Sequence, residues 1–172
     1  MNKDLEANIF NSYPELFKHR DDMKQSLMCF GIEPDNGWYD LINDLCADIY
    51  HYYNTKFDST DGDGNKYHHE VPNYFYVAQI KEKFGSLRFY IMAAPEEIHD
   101  MVHKAENKSY YICEVCGKEG KKFYRDDLPW IRTLCDECLD AHILDRYKRV
   151  RKAKEDFISD WQKKHKAPFV EG

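Results

Sequence analysis

The clearest apolar pattern along the chain begins at Trp38. Leu41, Ile42, Leu45, Cys46, Ile49, Tyr50, Tyr52 and Tyr53 follow it at offsets of 3, 4, 7, 8, 11, 12, 14 and 15. That is the repeat of a helix with a broad buried stripe, and Asp35 or Asn36 is placed to cap it. Upstream, Pro14 suits the first turn of a helix. Leu16, Phe17, Arg20, Met23, Leu27 and Met28 continue at helical spacing until Gly31 and Pro34, so a helix is expected over 14–28. Cys46 lies on the first stripe and Cys29 ends the second, and both read as small buried core residues.

Residues 58–73 read as loop, because Asp58-Ser59-Thr60-Asp61-Gly62-Asp63-Gly64-Asn65 is turn chemistry throughout. The spacing of Asp61, Asp63 and Asn65 invites a calcium-loop reading. Lys66 at its sixth position and Pro72 at its twelfth exclude it. Residues 74–80 and 87–92 then turn β-rich, with Phe84-Gly85-Ser86 suited to a tight hairpin connection. Period-two alternation sets Gln79, Lys81 and Lys83 on one face and Ile80 and Glu82 on the other. Pro95 opens a further helix with Ile98, Met101, Val102 and Ala105 on one side.

Composition adds a size and a charge. The chain has 172 residues, a net charge of −6 and 42% hydrophobic residues, enough for a real core. No apolar run approaches the roughly 20 residues of a membrane span. The first six residues carry no positive segment followed by an apolar one, so no secretory signal is expected and the cysteines should be reduced. The charge is segregated. Residues 146–166 hold nine basic and three acidic side chains, a net +6, which leaves −12 on the remainder.

Paired cysteines in such a chain are metal ligands before they are disulfides. Cys113-Glu114-Val115-Cys116, with Gly117 next, is followed by Cys135-Asp136-Glu137-Cys138, and 18 residues separate Cys116 from Cys135. A tight turn between two thiolates aims both at one ion, and two such turns complete a tetrahedron. Gly117 favours a knuckle turn, residues 121–134 alternate as a hairpin would, and the second pair sits where a long helix begins. Knuckle, hairpin and ligand-bearing helix is the treble-clef order. Cys113, Cys116, Cys135 and Cys138 are therefore assigned to one structural zinc ion per chain, closed to catalytic water.

Enzyme readings are weaker. A treble-clef nuclease, a further alternative, needs a histidine in the hairpin, and residues 118–134 contain none. A zinc deaminase would use His68-His69-Glu70 with Cys113 and Cys116. Ile112 stands where its motif has proline, and the second cysteine pair would be idle. His99 and His103 share a helix face without a third ligand. No catalytic residue is assigned.

Two stretches could contact a partner. The hairpin sets Lys81, Lys83 and Arg88 among Phe75, Tyr76, Phe84, Phe89 and Tyr90, a mixture that can stack bases and neutralise phosphates. It reads equally as an amphipathic hairpin packed on the Trp38 helix. The last helix, from about Cys135 past Trp161, repeats Ile143, Tyr147, Val150, Lys154, Phe157 and Trp161 at intervals of 4, 3, 4, 3 and 4. Its end should dock on the N-terminal helices or on a second chain, with Phe157 and Trp161 as anchors.

The motifs Trp38-Tyr39-Asp40-Leu41-Ile42, Ile80-Lys81-Glu82-Lys83-Phe84-Gly85-Ser86-Leu87-Arg88-Phe89-Tyr90 and Cys113-Glu114-Val115-Cys116-Gly117 carry a resemblance. Over roughly 29–138 the chain resembles a group of small uncharacterised phage and prophage proteins. The resemblance implies a setting, an accessory protein in the bacterial cytoplasm, and carries over no functional residue.

The expected architecture is α+β. A domain over 1–108 packs N-terminal helices on a β-hairpin or small antiparallel sheet. Residues 109–172 form a treble-clef-like four-cysteine zinc module with a long basic C-terminal helix. The expected function is a non-enzymatic, zinc-stabilised accessory or regulatory protein that binds a host or phage macromolecule. A protein partner ranks first, because the acidic body repels nucleic acid. Nucleic acid held by the basic helix and the hairpin ranks second, and a homodimer through that helix is a further option.

Overall fold

Asn2 opens the first helix of the computed structural model, α1 (Lys3–Ser12), by accepting the Leu5 N–H at its side-chain oxygen. Sequence patterning missed this helix, although Asn2 ahead of Asp4 and Glu6, with Leu5 and Ile9 four apart, is a helix-start signature. The structure describes residues 1–56, 59–60, 66–67, 71–125 and 128–164. The Asp61–Asp63–Asn65 cluster and His68-His69-Glu70 lie outside them.

The Trp38 stripe folds as expected into α2 (Tyr39–Lys56), with Trp38, Ile42, Leu45, Cys46, Ile49 and Tyr53 buried. The expected cap differs. Asp35 binds Arg132, and Asn36 accepts the Asn2 N–H. The helix expected over 14–28 does not form. Only two short 3-10 turns appear there, Pro14–Phe17 and Met28–Phe30. Asp22 turns its carboxylate back onto the Lys24 N–H, which competes with helix hydrogen bonding. The following chain is drawn across a strand edge instead. Cys29 consequently lands on the surface, not in the core, while Met28 is buried.

Three two-stranded antiparallel ladders follow among the described residues. Part of the segment read as loop forms the first, β1 (Ser59–Thr60) with β2 (Lys66–Tyr67). The second is β3 (Tyr76–Lys83) with β4 (Ser86–Met92), turned by Phe84 and Gly85, both at positive φ (53° and 77°). This is the primed two-residue turn whose twist suits a hairpin. A bulge at 77–79 shifts the register, and the outward face then carries Lys81, Lys83, Arg88 and Tyr90. The inward face buries Val77, Ile80, Leu87 and Phe89.

Both outer edges of this hairpin are covered. Leu27 and Glu33 donate their N–H groups to the Ala78 and Ile80 carbonyls. On the other side Ser109 and Glu106 of α3 (Glu96–Ser109) accept the Leu87 and Phe89 N–H groups. Unpaired strand edges invite aggregation, and this fold closes its own. The backbones nearest the hairpin are those of α3 and the 3-10 turns, α2 packs on α3, and the hairpin shares one buried core with the Trp38 helix. Tyr53 of α2 still reaches the same core, its ring 5.1 Å from that of Phe75.

The chain completes β5 (Lys121–Arg125), β6 (Leu128–Leu134) and the long helix α4 (Asp136–Lys164). The class is α+β, as expected. The chain divides into two compact units, Met1–Cys135 and Asp136–Gly172. No described helix is long and apolar enough to cross a membrane.

Candidate metal centre

A backbone knuckle builds the first half of the site. The Cys113 N–H donates to the Lys118 carbonyl at 2.8 Å and the Gly117 N–H returns to the Cys113 carbonyl at 2.9 Å, with Gly117 at φ 78°. The second half comes from the end of β6 at Cys135 and the first turn of α4 at Cys138. The sulfurs of Cys113, Cys116, Cys135 and Cys138 all lie within 4.8 Å of one another, close enough to hold a metal ion. A tetrahedral ion with metal–sulfur bonds of ~2.3 Å separates its sulfurs by ~3.8 Å. Sγ of Cys116 and Sγ of Cys135 stand 3.6 Å apart, so the donor set fits.

The environment prepares a thiolate. Burial pushes the Cys113 thiol up, but N–H groups at Cys135, Cys116 and Val115 outweigh it and bring the group down to about 7. Cys113 is buried and Cys116 exposed, so the site is sealed on its inner side only.

Around the knuckle, long-range bonds tie the centre to the N-terminal segment. The indole N–H of Trp38 donates to the Ile112 carbonyl at 2.8 Å, and the Gly37 N–H to the Glu114 carbonyl at 2.7 Å. Glu114, only 4% exposed, receives Arg132 on its carboxylate at 2.8 Å, and Arg132 also reaches Asp35 at 2.5 Å. Burial raises the Glu114 pKa, and the Arg132 guanidinium pulls it back. A partly buried cation between two carboxylates keeps each charge compensated.

The other expected residues fall elsewhere. Lys81 and Arg88 are cross-strand partners on the outer hairpin face, and Lys83 sits beside the turn. Arg88 bends onto Ser86 Oγ at 2.6 Å. Ser86 and Arg88 lie beside the Tyr110 hydroxyl and lower its pKa. Tyr110 and Lys122, absent from the sequence reading, extend this surface, with the lysine 5.4 Å from the ring centroid. Their position follows from packing after the metal knuckle, which no local pattern announces. His99 and His103 are exposed, and they join no metal-holding group among the described residues. Phe157 and Trp161 stand on α4 at 70% and 55% exposure.

No family model, curated protein or solved structure matches the chain.

Proposed function

We propose that the chain is a zinc-stabilised, non-enzymatic binding protein, a phage-type accessory factor of the bacterial cytoplasm whose partner is another protein. The observation that carries this reading is the four-thiolate donor set. Four sulfurs fill a tetrahedral shell and leave no position for water, the arrangement of structural zinc. The sequence of knuckle, hairpin and ligand-bearing helix supports a treble-clef module. Purified protein is expected to contain about one zinc per chain. Folded protein without metal would overturn the assignment.

The protein-partner part rests on α4. Leu144, Val150, Phe157 and Ile158 are exposed apolar side chains on a helix dense in Lys and Arg. Such a face fits an apolar groove, and aromatic anchors dominate contacts of this kind. Phe157→Ala should weaken partner capture at least tenfold, with little response to added salt. Capture that instead collapses with salt, or survives truncation after Asp145, would remove this reading. A second chain as partner would show as a dimer mass in light scattering.

A further inference from the structure

Phe84 occupies a conformation that disfavours it. Its φ of 53° lies in the left-handed region, where a bulky side chain is strained and Asn or Gly is preferred. The ring gains no burial in return, being 61% exposed at the hairpin tip.

The rest of the turn fixes it there. The Gly85 N–H donates to Glu82 Oε1 and the Gly85 carbonyl accepts the Thr133 hydroxyl, both at 2.5 Å. A Cβ on Gly85 would lie 3.2 Å from Ile131 Cγ2 and 3.3 Å from the Arg132 backbone, so β6 presses directly on the turn. Strain that is over-determined by its surroundings and presents a side chain to solvent points to a ligand.

Behind the ring lies a surface of alternating cations and rings. Lys83 stands over Phe84 at 5.5 Å, Lys81 over Tyr90 at 5.4 Å and Lys122 over Tyr110 at 5.4 Å. Lys81 and Arg88 are opposite across the ladder, and the guanidinium is turned onto Ser86 Oγ and toward Glu106, which leaves Lys81 to present its charge outward. At the far end Tyr90 lines an open groove of about 400 Å³ with Met23, Leu27, Gln79 and Met92. Residues two apart on a strand advance ~6.8 Å, close to the spacing of unstacked nucleotides.

We infer that the outer face of β3–β4, with Phe84 at its tip, binds single-stranded nucleic acid. Phosphates meet Lys81, Lys83 and Lys122, beside an Arg88 held by Ser86 and Glu106, while bases stack on Phe84 and Tyr90. This surface is a local cluster of cations on the otherwise acidic first unit, separate from the protein contact assigned to α4.

The test uses zinc-loaded full-length protein and fluorescein-labelled 20-mer DNA and RNA strands in anisotropy titrations. About three phosphate contacts predict an affinity that falls about 20- to 50-fold between 50 and 200 mM salt. Phe84→Asn removes the ring and suits the turn. It should bind at least tenfold more weakly while melting at the same or a higher temperature, with its zinc content unchanged. Lys81→Gln should flatten the salt dependence. The proposal is overturned if wild-type protein fails to bind the strands at 50 mM salt, or if duplex binds as well. It is equally overturned if F84N binds unchanged, or if F84N melts lower, which would make the ring a structural element.

Discussion

The hydroxyl of Thr133 donates to the carbonyl of Gly85 across 48 residues, and both groups are buried. Thr133 also gives its own carbonyl to the Glu114 N–H, so one residue joins the metal knuckle to the hairpin turn. Thr133→Val keeps the shape and orphans the Gly85 oxygen. The expected loss is about 1–3 kcal/mol in urea unfolding. Thr133→Ser should recover most of it.

Gly37 has no room for a side chain. A Cβ there would stand 2.1 Å from the Cys113 carbonyl oxygen and 2.5 Å from the Gly117 nitrogen, all rigid backbone of the knuckle. Gly37→Ala is expected to destabilise by about 3 kcal/mol, the upper part of the overpacking range. It should also speed release of any bound metal to a chromogenic chelator, because the clash falls on the Cys113–Gly117 turn itself.

Arg132 is the counter-charge of a buried carboxylate. In Arg132→Met, Glu114 stays buried without its partner, a change worth about 3 kcal/mol. Arg132→Lys should rescue only part, since an ammonium cannot fork between Glu114 and Asp35. Thermal unfolding of the two variants gives the ranking directly.

The six cysteines should divide into three classes of reactivity. Cys29 is exposed and should alkylate first in native, metal-loaded protein. Chelation should then release the four clustered thiols. Cys46 is buried, and burial pushes its thiol far above the ordinary range, so it should label only in denaturant. Intact-mass spectrometry counts each class. Fast labelling of Cys113 before chelation would contradict a closed metal site.

Legibility followed the range of the signal. The cysteine quartet was readable because C-x-x-C turns are local, and the β3–β4 hairpin because Phe84-Gly85-Ser86 separates two β-rich runs, whereas the press of β6 on Gly85 that fixes the turn was not. Trp38 was readable as buried, but not as a donor to Ile112, 74 residues away. Tyr110 and Lys122 joined the hairpin surface through packing alone.

By itself the sequence determined the α2 stripe, the hairpin, the α3 face and the four cysteines that could hold a metal. Each is encoded by periodicity or spacing within a few residues. Only the tertiary structure decided the fate of residues 14–30. Their helical pattern lost to the carbonyls of Ala78 and Ile80, which required donors along the strand edge. That choice put Cys29 outside. Tertiary packing likewise gave Asp35 to Arg132 in place of a helix cap, because a buried Glu114–Arg132 pair left the guanidinium a second carboxylate to satisfy. Buried polar groups are satisfied by whichever partner the fold brings near, and that partner lies beyond the reach of any local pattern.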